Sequence, residues 1–513
     1  MVKTLQNKFK TNSKGFILKI LGIFMLLGVL SSNVKATHMM GADITYYCLG
    51  NNKFNIIIKL YRDCRGVAIG APSSTITCAS NNNTIASFTP TEIKVRDITP
   101  TCSSTGKACN PPNTYGTGKG IEEHTYSYTY DFTTVKKNGC CRVRIGTGQC
   151  CRNGAITTGA ASANFFTYAE FDICNAKCNS SPSLTTEPIA LICCNQPYYY
   201  NNGASDTTDL DSLSYEWGNP LQSWGSNTTW SGSFSSKMPF SVYWPSGYDK
   251  SKGPKPDANP PIGLYLDPET GDLIFTPTDC NESTVAVIQV TEWRKDSSGK
   301  WKDIGVTRRD VQFWVETCPG NNPPTLNGPY KYDVCAGNAI CFTITSDDKQ
   351  FIPPPPAKAN PPDTVRLTWN RGIPGGTFTI VNTKARLQSG KFCWTPKKNQ
   401  ASDLPYTFTV TARDNSCPLN AVTVKSYSVK VKHIAEADRN VDTFACGKYY
   451  VESNPFPNFK GSPSYFWEVT DTNNQLLNKS YYYFKPSNSL YSNKKSDTIQ
   501  FRKGGKYIIH HRI

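Results

Sequence analysis

Residues 43–61 read DITYYCLGNNKFNIIIKLY and indicate how this chain folds. Two segments rich in β-branched and aromatic residues, at 43–48 and 54–61, flank the turn sequence Leu-Gly-Asn-Asn at 49–52. Glycine and asparagine tolerate positive φ, so this order predicts a strand, a turn and a second strand. The chain is 12% aromatic and rich in Gly, Pro, Ser, Thr and Asn. We therefore predict an all-β protein in which helices are scarce.

The first 36 residues have the order of a secretory signal peptide. Lysines precede an apolar run at 20–30, and Val-Lys-Ala at 34–36 precedes Thr37. A membrane anchor needs about 20 apolar residues, roughly twice the length of this run. We therefore expect cleavage near Ala36 and export machinery as a partner. All 20 cysteines follow this point, as expected for a chain exported to an oxidising compartment, and no transmembrane segment is expected in the mature chain.

The charge balance is modest once the signal peptide is removed. The chain carries 55 basic and 39 acidic residues, and its formal net charge is +16. Six of the lysines lie within residues 1–36, so the mature chain has a net charge of +10. No run of five or more Lys or Arg occurs. We interpret this as the surface of a soluble exported protein and expect no nucleic-acid partner.

Changes in composition and an internal duplication predict four domains after the signal peptide at 1–36. Residues 37–185 form a cysteine-rich N-terminal β domain with eleven of the cysteines. Residues 186–320 and 321–434 share an acidic turn, an aromatic strand, a Thr-Pro corner and a Thr/Val strand, in that order. This repetition favours β-sandwiches strung along the chain. Residues 435–513 form a further sandwich.

Several of these segments resemble known domain families. Asp-Leu-Asp-Ser-Leu at 209–213, Gly-Asp-Leu-Ile-Phe-Thr-Pro at 271–277 and Tyr-Thr-Phe-Thr-Val-Thr-Ala-Arg-Asp at 406–414 resemble cadherin-like, immunoglobulin-type β-sandwich repeats. Tyr-Phe-Trp-Glu-Val at 465–469 and Gly-Gly-Lys-Tyr-Ile-Ile at 504–509 are similar to a PKD-type sandwich. The resemblance implies a disulfide-rich chain of tandem immunoglobulin-like, cadherin-like and PKD-type sandwiches.

A more specific resemblance lies in the N-terminal domain. Thr-His-Met-Met-Gly-Ala-Asp-Ile-Thr-Tyr at 37–46, Tyr-Arg-Asp-Cys at 61–64 and Gln-Cys-Cys-Arg-Asn at 149–153 resemble gliding-motility-associated, PKD-domain surface proteins of Bacteroidota. This implies export by type IX secretion and a role in adhesion or gliding. Members of that family generally carry a C-terminal sorting domain, whereas residues 506–513 resemble a strand. We therefore expect either a truncated last sandwich or retention at the cell by other means.

The cysteines are expected to form disulfides rather than a zinc site, because only five histidines accompany them. Adjacent cysteines occur at 140–141, 150–151 and 193–194. Successive side chains of a strand face opposite ways, so we expect each member to bond elsewhere. Spacing alone leaves the connectivity open. The short separations favour three local bridges: Cys102–Cys109, Cys174–Cys178 and Cys335–Cys341.

Calcium is the one cofactor that the sequence suggests. Asp206, Asp209 and Asp211 offer hard oxygen ligands at short spacing on a predicted loop, and Glu216 and Asp267 are candidates for additional ligands. The turn Asp-Thr-Thr-Asp-Leu-Asp lacks the glycine that such calcium loops usually contain. A solvated acidic turn is the alternative interpretation.

Four aromatic residues are candidates for ligand binding. Trp224, Trp230, Trp244 and Tyr248 lie in a segment rich in Ser, Gly and Asn, where they either stack on a ligand or pack the sandwich core.

The sequence favours a protein without enzymatic activity. No Gly-x-Ser-x-Gly elbow, His-Glu-x-x-His helix or Gly-rich phosphate loop occurs. We therefore expect a secreted or cell-surface interaction protein that binds an extracellular glycan or protein. A secreted glycan hydrolase with accessory sandwiches is an alternative, because two carboxylates suffice for that chemistry. A structural spacer for a missing C-terminal domain is another.

Overall fold

The computed structural model describes residues 38–513 apart from a few short segments. The predicted signal peptide at 1–36 and Cys102 lie outside the described residues. No helix in the described part of the chain is long and apolar enough to cross a bilayer. The segments left out within 38–513 are 65, 101–108, 110–119, 189–190, 319, 357, 403, 418–419, 433–436, 446 and 456–462.

The chain divides into two compact units. The first comprises the described part of Met1–Pro324 together with Lys349–Asp363 and Arg413–Thr423. The second comprises Thr325–Asp348, Thr364–Ala412 and Val424–Ile513.

In its described residues, the first unit is built almost entirely of strands, with one short helix, α1 (Thr133–Lys137), and one 3-10 turn, Lys250–Lys252. Its strands are β1 (Met39–Gly50), β2 (Lys53–Asp63), β3 (Ser73–Cys78), β4 (Thr84–Phe88), β5 (Thr91–Asp97), β6 (Ile121–Asp131), β7 (Arg142–Gln149), β8 (Phe165–Asp172), β9 (Ser183–Leu184), β10 (Leu191–Cys193), β11 (Tyr198–Asn201), β12 (Ala204–Ser205), β13 (Ser212–Gly218), β14 (Leu221–Ser223), β15 (Ser226–Asn227), β16 (Tyr265–Leu266), β17 (Asp272–Phe275), β18 (Ser283–Lys295) and β19 (Trp301–Glu316).

Strand β19 lies within a 14-stranded sheet and pairs with strands on both of its edges. One edge of β19 pairs with β18, from Ser283 opposite Trp314 to Lys295 opposite Trp301. The other edge pairs in turn with β8, β1 and β10. Strands from both sides of the predicted boundary at 185/186 therefore share one sheet, and that boundary does not separate two sheets. Local sequence patterns identify strands but do not show which strands pair, which is why the composition change at 186 was misleading.

The core of the first unit lies between the two halves of this sheet. Alternate residues of β2 are fully buried, as predicted for a half-buried strand. Tyr46 of β1 stacks on Phe171 of β8 with ring centroids 4.0 Å apart, and Phe54 of β2 also contacts Phe171. The sheet therefore curls so that β1 and β2 cover β8. Each fully buried large apolar side chain stabilises the fold by about 1.5–3 kcal/mol.

Residues 325–432 contain eight strands arranged as two four-stranded sheets. These strands are β20 (Thr325–Asn327), β21 (Lys331–Cys335), β22 (Ile340–Asp347), β23 (Arg366–Trp369), β24 (Thr377–Ile380), β25 (Ser389–Trp394), β26 (Tyr406–Arg413) and β27 (Val422–Lys432). A 3-10 turn, Lys398–Gln400, precedes β26. The sheet orders are β20-β22-β25-β24 and β21-β27-β26-β23. This division of strands is that of an immunoglobulin-type sandwich.

Tryptophan side chains pack into the core of this sandwich. Trp394 is buried, and Trp369 on β23 packs against Phe392 and Phe408.

The C-terminal segment contains two further sheets, in the orders β28-β29-β33-β31 and β32-β30-β34. Trp467 is fully buried between them, and its indole N–H donates to the Lys494 carbonyl. The strands are β28 (Ala437–Ala445), β29 (Lys448–Pro455), β30 (Phe466–Thr470), β31 (Tyr482–Lys485), β32 (Tyr491–Ser492), β33 (Ser496–Phe501) and β34 (Ile508–Arg512). The described residues thus confirm an all-β fold of tandem sandwiches.

Disulfides are numerous, as predicted, and most of them join residues far apart in the sequence. Cys417 is also disulfide-bonded, whereas Cys335 is a free, exposed cysteine. The complete bridges among the described residues are Cys48–Cys178, Cys64–Cys109, Cys78–Cys140, Cys141–Cys174, Cys150–Cys151, Cys193–Cys318, Cys194–Cys280 and Cys341–Cys393.

The local bridges predicted from spacing are wrong. Cys109, Cys174, Cys178 and Cys341 all bond to other partners, because strand pairing brings distant residues side by side. Cys341 and Cys393, for example, are direct cross-strand neighbours on β22 and β25.

The adjacent cysteines follow the prediction in two of three cases. Both members of 140–141 and of 193–194 bond elsewhere, as expected from strand alternation. The pair at 150–151 instead forms a bridge within itself. This pair lies just beyond the end of β7, where strand alternation no longer applies.

Candidate functional site

Trp224 lies at the tip of a hairpin that adds to the main sheet. Strands β14 and β15 form this hairpin, and Leu221 of β14 pairs with Phe166 of β8. Gly225 completes the turn with φ of +69°, a conformation that residues with a side chain rarely adopt. The hairpin therefore brings the Trp224 ring over the outward-facing side chains of β7 and β8.

The Trp224 ring is held in place by its neighbours and is still 41% exposed. The Arg144 guanidinium carbon lies 3.4 Å from the ring centroid, and Tyr168 meets the ring edge to face at 5.1 Å. The Arg308 guanidinium carbon lies over the Tyr168 ring, 4.8 Å from its centroid. Glu170 pairs with Arg144 and so anchors the stack. Arg144 and Arg308 are themselves buried, so Trp224 and the half-buried Tyr168 form the accessible part of this group. We call Trp224, Tyr168, Arg144 and Arg308 the Trp224 surface.

The other three predicted aromatic residues do not join the Trp224 surface. Trp230 packs against a small buried cluster formed by Ile156, Ala160 and Val285, so core packing explains its position. Trp244 and Tyr248 form a separate pair with ring centroids 5.5 Å apart. Lys250 and Lys255 lie near these two rings: the Lys250 Nζ is 5.4 Å from the Trp244 centroid, and the Lys255 Nζ is 5.6 Å from the Tyr248 centroid.

The acidic turn brings Asp206, Asp209 and Asp211 together, with ligand oxygens within 4.8 Å of one another. Asp206 is buried and accepts hydrogen bonds from the backbone N–H groups of Thr208, Asp209 and Asp211. Burial raises the pKa of Asp206 and Asp209. Hard oxygen donors in this arrangement are suited to a divalent cation.

Arg294 is the resident counter-charge of the acidic turn. Its guanidinium donates two hydrogen bonds to the Asp211 carboxylate. The charge of a cation bound at this turn would therefore be balanced mainly by the carboxylates of Asp206 and Asp209. Glu216 and Asp267 are not part of the group: Glu216 accepts from the Gln289 amide, and Asp267 accepts from the backbone of its own turn.

A buried carboxyl group, which sequence reasoning missed, adjoins the same region. Glu292 is fully buried, and its carboxyl accepts hydrogen bonds from the Tyr46 hydroxyl and the Asn179 amide. Burial raises its pKa to about 8, and the charges of Asp206 and Asp211 act in the same direction. Gly305 on β19 makes room for this carboxyl, because a side chain there would collide with Glu292.

Two buried ion pairs on β19 were also not predicted. Arg309 pairs with Asp43 of β1, and the neighbouring Asp310 pairs with Arg152. All four side chains are at most 2% exposed. The partners are 266 and 158 residues apart, respectively, and no local sequence pattern marks them.

The comparisons with known proteins leave the family open. No protein-family model matches the chain, and no curated protein matches it. Among solved structures, titin domains A168–A170 match with 11% identity and a TM-score of 0.21, over 64% of this chain and 92% of that one. The four N-terminal Ig domains of Dscam1 match with 9% identity and a TM-score of 0.19, over 93% of this chain and 96% of that one. Likenesses at these TM-scores support no inference about function.

Proposed function

We propose that this protein is an exported, non-enzymatic recognition protein that binds a glycan or protein ligand in adhesion or gliding. The Trp224 surface is the observation that carries this proposal. Trp, Tyr and Arg are the residues that dominate binding hot spots. A ring already held by Arg144 and Tyr168 loses little conformational freedom when a ligand covers it.

The disulfides support an extracellular or surface location. They join strands across the first unit, such as Cys48 to Cys178 and Cys193 to Cys318, and such bridges persist in oxidising compartments. The exterior of the outer membrane and a type IX route follow from the resemblance of the N-terminal motifs to gliding-associated proteins, and they are part of the proposal.

Protease shaving of intact native cells tests the location. Loss of the full-length band on intact cells is the expected result. Survival of the band until the outer membrane is breached would make the protein periplasmic and would overturn the adhesion proposal.

Binding of the purified mature chain to cells or to their surface extract tests the Trp224 surface. We expect Trp224→Ala to weaken binding by roughly tenfold or more, which corresponds to about 1.4 kcal/mol. Trp301→Ala is the matched control, because Trp301 is 38% exposed and also has a cation, Lys295, against its ring. Equal binding of the two variants would exclude the Trp224 surface as the ligand-binding site.

A reducing-end assay on the polysaccharides of the same surface extract separates recognition from hydrolysis. Binding without release of new reducing ends is expected. Release that survives repurification would favour the glycan hydrolase alternative, since paired carboxylates are enough for that reaction.

A further inference from the structure

The outer face of the small sheet β11-β17-β16 carries a row of three neighbouring side chains. Tyr199 pairs with Ile274, and Ile274 pairs with Tyr265 on the next strand. Residues that are directly opposite project from the same face of a sheet, so these three stand side by side. Each is half-buried, whereas the residues that alternate with them point into the core: Tyr198, Tyr200, Leu273 and Phe275.

The aromatic pair described above lies next to the segment that leads into β16. Neighbouring strands are about 4.8 Å apart, so the row spans roughly 9.5 Å across three strands. Trp244 packs directly over Gly263, which lies two residues before Tyr265. The Tyr248 ring packs against the Trp244 ring. We call Tyr199, Ile274, Tyr265, Trp244 and Tyr248 the aromatic surface.

Carboxylates border the part of this surface that holds the row. The Tyr265 hydroxyl donates to Asp267 at 3.2 Å. Asp257 is exposed on the segment that precedes β16, and its charge adds to the effect of burial in raising the pKa of both Tyr199 and Tyr265. This end of the surface therefore combines flat rings with hydrogen-bond acceptors.

This combination favours one kind of ligand. The C–H faces of a sugar ring are apolar and match the rings, and sugar hydroxyls donate well to carboxylates. At this end of the surface, a sulfated or carboxylated glycan would bring its negative charges against Asp257 and Asp267, which is unfavourable. Lys250 and Lys255 lie at the other end, beside Trp244 and Tyr248. A protein partner would need a contact of about 1,000 Å² or more, much larger than this row.

We propose that the aromatic surface binds a neutral hexopyranose glycan, with sugar rings lying on Tyr199 and Tyr265 and hydroxyl groups directed at Asp257 and Asp267. The site is separate from the Trp224 surface. The inference rests on the proposed role in recognition and adds a ligand class and a second binding surface to it.

Affinity electrophoresis of the oxidised mature chain tests the proposal. The probes are soluble neutral polymers of glucose, galactose and mannose, with a sulfated polysaccharide as comparator. We expect at least one neutral polymer to retard the protein, and Tyr199→Ala and Tyr265→Ala each to weaken that binding by roughly tenfold. Tyr265→Phe keeps the ring and should retain most of the binding. Tyr47→Ala, which removes an exposed tyrosine on β1, should change nothing.

Three results would overturn the proposal: no retardation by any neutral polymer, retardation unchanged in both alanine variants, or stronger retardation by the sulfated polymer. Retained binding in Tyr265→Phe with loss in Tyr265→Ala distinguishes a missing ring from a misfolded unit. The Trp224 test measures binding to cells or to their surface extract, whereas this test measures binding to purified neutral polymers. A negative result for the aromatic surface therefore does not decide the Trp224 test, and a negative result for the Trp224 surface does not decide this one.

Discussion

Replacing Arg152 with methionine would leave one of the most deeply buried charges of the first unit without its partner. Arg152 donates to both oxygens of Asp310, at 2.9 and 2.6 Å, and also to the Leu221 carbonyl. Its side chain is 0% exposed and that of Asp310 is 2% exposed, so water cannot replace the lost partner. Methionine keeps apolar contact with Phe165, over which the guanidinium lies.

The expected loss can be worked from this geometry. Two opposite charges about 4 Å apart attract by about 4 kcal/mol at an effective dielectric constant of about 20. Removal of one partner from a buried pair typically costs about 3–5 kcal/mol. A unit of this size loses roughly 2–4 °C in Tm per kcal/mol, so we expect Arg152→Met to lower the Tm of the first unit by about 10 °C.

Urea unfolding followed by pulsed hydrogen exchange measures this loss, because peptides from β1 and β19 report on the first unit alone. Asp303→Asn is the control: Asp303 pairs with Arg142 at the surface and should cost less than about 1 kcal/mol. The double variant Arg152→Met with Asp310→Leu removes both charges and should recover most of the stability. A cost below about 1 kcal/mol for Arg152→Met alone would refute the reasoning.

Three other predictions follow from the described residues. Because the pKa of Glu292 is raised from 4.5 to about 8, its stabilising contribution is fully present below about pH 4.5 and is lost as the pH rises through about 8; the Tm of the first unit should fall over this window, and Glu292→Gln should flatten the profile. Calorimetric titration should show Ca²⁺ binding at the acidic turn with a Kd of about 10⁻⁴–10⁻³ M, and Asp209→Asn should abolish it; an absence of heat would mean that Arg294 and the backbone alone hold the turn. Peptide mapping without reduction should recover the long-range bridges, including Cys48–Cys178 and Cys193–Cys318, and recovery of Cys174 joined to Cys178 would contradict the fold.

The candidate surfaces show where sequence reasoning stops. Trp224 was identified because it lies in a polar, turn-rich segment, yet its partners Arg144 and Tyr168 come from strands that no motif connects to it. Trp230 has the same kind of sequence neighbourhood and packs into a core cluster instead. The alternation of Tyr198, Tyr199 and Tyr200 does indicate one outward ring, but only the pairing with β17 and β16 shows the row that it begins.

The sequence by itself determined the strands, the turns between them and the abundance of disulfides, because these depend on local alternation, turn residues and composition. The tertiary structure alone decided which strands meet β19, which cysteines bond, and which charges are buried together. Arg152 and Asp310, for example, are separated by 158 residues. Contacts over such distances depend on how the whole sheet curls around its core, and that is a property of packing rather than of any local segment.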